Sequence, residues 1–230
     1  MINLSVIVPF FNEEQFLDES VNRLLSNDIY TSIYLIDNNS TDNSYEIAKN
    51  LADNNEKIEL FKTGKNKGKG SVLAYGKNLI TTSHIVIHDA DLEYFPEDII
   101  EMFELAKQNQ KSLILGSRFI GSKKRENIYL RTFLANRVMS LFFSLVNSYK
   151  ISDVASCYKL IPVEFFKHVD LKESGFSIEI ELLSKFLKFN RSVLEVPISY
   201  EGRSYSEGKK IKTIDGFQYL LNTIKYRFLN

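Results

Sequence analysis

Short apolar runs alternate with polar loops and amphipathic stretches along the first half of the chain, which predicts a repeated strand, loop and helix. Leu4-Ser5-Val6-Ile7-Val8 reads as a buried strand that ends at Pro9, which has no N–H to give to a ladder. Asn12 is expected to cap the next helix. Glu13 and Glu14 then fall at the positive end of its dipole, and Phe16, Leu17, Val21, Leu24 and Leu25 follow at helical spacing. A second strand, Ser32 to Ile36, enters the turn formers Asp37-Asn38-Asn39-Ser40-Thr41-Asp42 and a helix through Ala52.

The third unit is the strand Lys57 to Phe61, the loop Gly64 to Gly70 and a helix near Ser71 to Thr81. The fourth is His84 to Ile87, a loop holding Asp89 and Asp91, and a helix opened by Pro96 with Glu97 and Asp98 behind it. A fifth strand, Ser112 to Leu115, leads to Gly116-Ser117-Arg118. Units of this kind imply an α/β fold, a mostly parallel central sheet flanked by helices.

Composition narrows the function. Lys plus Arg equals Asp plus Glu at 29 each, so no overall field favours nucleic acid. The single Cys157 excludes an internal disulfide, no N-terminal signal sequence is read, and no apolar run is long enough to span a bilayer. A cytoplasmic setting is expected, with peripheral membrane contact still open. Cys157, His84 and His88 are expected to serve packing.

In parallel sheets ligands bind beyond the carboxyl ends of the strands, where all these polar loops fall. Asp89 and Asp91, one residue apart after a strand, would point the same way and reach one hard cation, Mg²⁺ or Mn²⁺. The Gly64 to Gly70 loop does not fit the nucleotide-triphosphate pattern, because Gly70 stands where a hydroxyl residue is required.

The segments Val6 to Glu14, Ile36 to Asp42, Asn66 to Gly70, Asp89-Ala90-Asp91-Leu92-Glu93 and Gly116 to Phe119, in that order, resemble the family 2 inverting glycosyltransferases of the GT-A fold. Asp153, Cys157 to Leu160, Gly175 to Glu181 and Val196 to Tyr200, followed by Arg203 and Lys209, are most similar to the branch that makes dolichyl- and polyprenyl-phosphate sugars. The resemblance implies one domain over residues 1–230, with 1–118 binding a nucleotide sugar and 119–230 the acceptor. It implies that Pro9, Phe11 and Glu13 line the nucleoside pocket, that Asp37 accepts from the base and that Ala90 backs the ribose. Lys67 and Arg118 would contact the substrate. Asp89, Asp91 and Glu93 would hold the metal, although Glu93 stands where the branch commonly has Gln. Arg203 and Lys209 would meet the donor diphosphate and the acceptor phosphate.

The chemistry asks for these residue types. Negative charge develops on the departing diphosphate, and a cation beside it stabilises that charge. Asp91 and Arg203 are therefore the expected catalytic residues. A lipid-phosphate acceptor arrives ionised, whereas a sugar hydroxyl needs a base, for which Glu181, with Glu179 beside it, is the candidate. Three functions stay open: transfer to a polyprenyl phosphate, transfer to a hydroxyl in a cell-surface polysaccharide or glycolipid, and a noncatalytic nucleotide-sugar-binding subunit. Lys123-Lys124-Arg125 precede an apolar stretch, Tyr129 to Val146, with helical periodicity, and Ile214 to Phe228 shows the same spacing. These faces suit a core, a homodimer or a membrane interface.

Overall fold

The computed structural model describes residues 2–127, 129–203 and 213–229. Its first half follows the predicted alternation: β1 (Leu4–Phe10), α1 (Leu17–Leu25), β2 (Tyr30–Asp37), α2 (Ser44–Asp53), β3 (Ile58–Lys62), α3 (Lys69–Gly76), β4 (His84–Ile87), α4 (Glu97–Gln108) and β5 (Leu113–Ser117). The second half adds β6 (Arg125–Glu126), α5 (Leu130–Asn147), β7 (Lys159–Pro162), α6 (Val163–His168), α7 (Ile178–Phe189), β8 (Val193–Pro197), β9 (Tyr200–Glu201) and α8 (Thr213–Phe228).

Seven strands form one sheet in the order β3-β2-β1-β4-β7-β5-β8. Only β7 runs antiparallel to its neighbours, so the sheet is mostly parallel, as expected. β1 and β4 sit at its centre and their Val6, Ile7, Val8, Ile85, Val86 and Ile87 are fully buried, which is why they read as unbroken apolar runs. β6 and β9 make a separate two-stranded ribbon.

Two local expectations change. β1 continues through Pro9 to Phe10. Ile7 accepts from the His88 N–H on the β4 side, so the Pro9 nitrogen, two residues on, faces that same side, where β4 has already ended. The missing donor costs nothing there. Asn12 does not cap α1, which begins at Leu17. Its φ of 53° is left-handed, and its side-chain oxygen instead accepts from the Thr41 N–H at 2.9 Å, tying the first polar loop to the second.

α5 is turned opposite to a core helix. Leu130, Leu134, Val138, Leu141 and Leu145 face out, while Ser140, Phe143 and Asn147 are buried. Ser140 is used inside: its hydroxyl accepts from the Val154 N–H at 3.1 Å.

Candidate active site

The loops at the carboxyl edge enclose a cavity of about 280 Å³. β1 supplies Pro9, then Phe11 and Glu13; Asn38 follows β2; Lys69 opens α3; Asp89 to Glu93 follow β4; and Arg118 follows β5. Arg203 arrives from the far end of the chain. An isolated bridge between Tyr94 and Tyr200 and the Glu201 N–H donating to the Glu93 carbonyl lay the segment before it across the Asp91 loop.

Its carboxylates are paired. The Lys69 ammonium lies 2.8 Å from Asp89 and 2.9 Å from Glu179, and Glu179 also meets the fully buried Lys159. Arg203 bridges Asp91 at 3.1 Å and Glu13 at 3.2 Å. The Arg203 N–H and the Tyr200 hydroxyl donate to the two Glu93 oxygens at 2.8 and 2.7 Å. Arg118 donates through two nitrogens to Asp153 at 2.7 and 2.8 Å and stacks over Tyr200 at 4.9 Å.

These pairs leave an excess of negative charge. Among the described residues, six carboxylates (Glu13, Asp89, Asp91, Glu93, Asp153, Glu179) meet four cations, Lys69, Arg118, Lys159 and Arg203. Burial, together with the like charges of Glu93 and Asp89, pushes the Asp91 carboxyl up to about 7. Burial opposes ionisation at Asp89 as well, but the Lys69 ammonium holds that carboxyl below its ordinary value. Burial would lower the Lys69 ammonium, and the carboxylates of Asp89 and Glu179 more than compensate. Hard oxygen donors with two surplus negative charges fit one divalent cation. No group of three His, Cys, Asp or Glu side chains among the described residues is already arranged around such an ion, so Asp89 and Asp91 would have to exchange Lys69 and Arg203 for it.

Asp89, Asp91 and Glu93 line the cavity, with local geometry different from that expected, and Asp37, Lys67 and Glu181 fall outside it. Because β4 ends at Ile87, Asp89 and Asp91 lie in a turn, and strand alternation does not orient them. Glu93 has both oxygens engaged, by the Tyr200 hydroxyl and the Arg203 N–H, which ties its loop to the Arg203 segment. Asp37 is fully buried behind the cavity; it accepts from the Ser40 N–H at 2.8 Å and lies 3.4 Å from Lys62, while its neighbour Asn38 lines the space. Lys67 is exposed and outside the cavity; Lys69 is the lysine of that loop that enters it. Glu181 does not line the cavity either. It has no exposure, accepts from the Lys172 and Glu173 N–H groups at 2.9 and 2.8 Å, and lies 2.6 Å from Lys185. Lys209 lies outside the described residues.

Packing accounts for His88 and Cys157. His88 sits between the hydroxyls of Ser20 and Tyr158, and burial lowers it to about 4. Cys157 lies 3.2 Å from the Lys69 ammonium, yet burial holds its thiol well above the ordinary range, so it carries no nucleophilic thiolate. Lys69, Tyr94, Tyr200 and Tyr219 are among the cavity residues to which the sequence assigned no role. The position of Lys69, between a strand-end loop and a helix, is the one signal that marks it.

Known proteins share this architecture. A dolichol-phosphate mannosyltransferase of Pyrococcus furiosus is 30% identical over 95% of this chain, which spans 62% of that enzyme's length. A UDP-N-acetylglucosamine–dolichyl-phosphate N-acetylglucosaminyltransferase of Methanococcus voltae is 27% identical over 97% of this chain and 94% of its own. The crystal structure of glucosyl-3-phosphoglycerate synthase from Mycobacterium tuberculosis with Mn²⁺, UDP and phosphoglyceric acid superposes with a TM-score of 0.75 over 100% of this chain and 80% of that one; at 14% identity the likeness is one of fold, and the fold is GT-A. Residues 5–170, well over half of the chain, match the model of glycosyl transferase family 2, and the protein belongs to that family.

Proposed function

We propose that this protein transfers a hexose with inversion from a UDP- or GDP-sugar to a polyprenyl or dolichyl phosphate, using Mg²⁺ or Mn²⁺, at the cytoplasmic face of a membrane. The observation that carries the acceptor is the engagement of every cleft carboxylate among the described residues by a cation or a hydrogen-bond donor. A hydroxyl acceptor needs a free base, whereas a phosphate acceptor arrives as a ready nucleophile. The names of the P. furiosus and M. voltae relatives support the same acceptor class.

Asp89 and Asp91 would hold the metal, which when bound stabilises charge on the departing diphosphate. Lys69 and Arg203, released from these carboxylates, would supply positive charge beside it. Arg118 is locked by Asp153 and Tyr200, so it would keep its wall of the cleft rigid. Assays of transfer from UDP-glucose, UDP-N-acetylglucosamine and GDP-mannose to undecaprenyl phosphate, with and without Mn²⁺, test the proposal. Turnover onto a sugar hydroxyl and never onto the lipid phosphate overturns it.

The outward face of α5 supports a membrane site for that reaction. Leu134, Val138, Leu141 and Leu145 are 53–70% exposed, and on α8, which packs beside α5, Phe217 and Leu221 are 59% and 53% exposed. Exposed apolar side chains grouped on neighbouring helices mark an interaction surface. α5 contains Arg131 and Arg137 and no acidic residue, which suits anionic lipid. No helix among the described residues is long and apolar enough to cross a bilayer. Leu134→Glu combined with Leu141→Glu is expected to reduce co-sedimentation with phosphatidylglycerol-containing vesicles by at least about tenfold, with the thermal midpoint unchanged. A wild-type homodimer that becomes monomeric in the variant, with vesicle binding unaltered, would assign the face to a second copy instead.

A further inference from the structure

α8 touches the cavity directly through Tyr219 and indirectly through the segment 173–176. The Tyr219 hydroxyl donates to the Phe176 carbonyl at 2.9 Å. Lys225 and the Tyr226 hydroxyl both donate to one oxygen of Glu173, at 2.8 and 2.6 Å. The lysine is 40% exposed and contributes modestly, but Tyr226 is fully buried, and a short hydrogen bond from a buried phenol to a carboxylate is among the stronger kinds.

The same segment holds the start of α3. The Ser174 carbonyl accepts from the Gly70 and Ser71 N–H groups at 2.7 and 3.3 Å, so it satisfies helix-terminal donors that a phosphate would otherwise meet. The contact is backbone against backbone: a Cβ on Gly70 would lie 1.9 Å from the Glu173 carbonyl oxygen. Lys69, the first residue of α3, extends from this junction to Asp89 and Glu179.

We propose that Glu173 is a positioning residue that braces the Lys69 side of the cleft against α8. Glu181 pins the Lys172 and Glu173 N–H groups from α7, which fixes one side of the segment; the Glu173 side chain fixes the other to α8. Loss of the carboxylate frees the Ser174 carbonyl to drift from Gly70, and the Lys69 ammonium loses its fixed distance to Asp89. The inference rests on the donor-site reading only for its effect on nucleotide affinity.

Hydrogen exchange of the peptide covering residues 66–73, measured on the ligand-free protein, is the primary test. Glu173→Ala is expected to accelerate exchange there about tenfold. It is also expected to weaken UDP or GDP binding in the presence of Mn²⁺ by a similar factor. Glu173→Gln, whose amide oxygen still accepts from Tyr226, should recover most of both effects. Tyr226→Phe removes only the hydroxyl and carries the same comparison if Glu173→Ala does not fold. Accelerated exchange confined to α8, with residues 66–73 as protected as in the wild type, overturns the proposal. If neither nucleotide binds the wild type, the donor reading fails while the exchange result still decides the role of Glu173.

Discussion

Asp91→Asn is expected to raise the thermal midpoint of the ligand-free protein at pH 8 by roughly 5–10 °C while reducing transfer about 10²–10³-fold. The opposite signs come from one cause. Burial and the neighbouring charges of Glu93 and Asp89 raise the Asp91 carboxyl to about 7, from the ordinary 3.8 of an unfolded aspartate. Between those values the unfolded chain has lost its proton and the folded one keeps it, so stability falls as pH rises through the window and stays lower above it. The penalty present at pH 8 is about 4 kcal/mol, and an uncharged amide removes it. Arg203 retains Glu13 as a partner, so the substitution does not strand a buried guanidinium. The difference between variant and wild type should shrink as pH approaches 4, where the folded carboxyl is protonated in any case. Melting curves between pH 4 and 8 check this, and a variant that melts below the wild type at pH 8 refutes it. Such a trade of stability for function is expected of a buried carboxylate kept for a cation.

The sheet was legible because its central strands are buried on both faces, where β1 and β4 keep unbroken apolar runs; β4 spans His84–Ile87 in the sequence reading and in the structure alike. β7 was not. It enters the sheet antiparallel between β4 and β5 after the whole of α5, a pairing that no local pattern encodes. At the site, the carboxyl-edge loops converge as strand order requires, which brings Pro9, Phe11, Glu13, Ala90 and Arg118 to one cavity. The choice between residues two apart depends on rotation. Glu179 and Glu181 share a helix, and two residues turn it by about 200°, so one carboxylate faces the cleft and the other the segment behind it. Lys67 and Lys69 divide in the same way, because α3 begins two residues earlier than propensity indicates and takes Lys69 into its first turn. Asn12 reads as a cap by residue type, yet its left-handed backbone turns it toward Thr41, a contact set by the neighbouring loop.

Glu179→Gln should separate the two acceptor chemistries, because in this fold the carboxylate has a structural duty. It is 2% exposed and stands between the Lys69 and Lys159 ammonium groups, the second of them fully buried. Removing its charge leaves Lys159 without a counter-ion and Lys69 with Asp89 alone among carboxylates. Stranding a buried charge costs about 3–5 kcal/mol, which for a chain of this size lowers the thermal midpoint by roughly 10 °C. Transfer to a lipid phosphate by the folded fraction should persist at reduced rate, since no proton has to be removed from the acceptor. Glu181→Gln should also lower the midpoint, by loosening the Lys172 and Glu173 N–H groups, and should likewise leave residual transfer. A base acting on a hydroxyl has a different signature: Glu179→Gln would then keep its thermal midpoint, bind donor normally and lose turnover altogether. Melting curves and single-turnover transfer on the same two preparations distinguish these outcomes. The lysines on both sides of Glu179 favour the first, because both carboxylate oxygens are already engaged by ammonium groups and neither is left facing an acceptor hydroxyl.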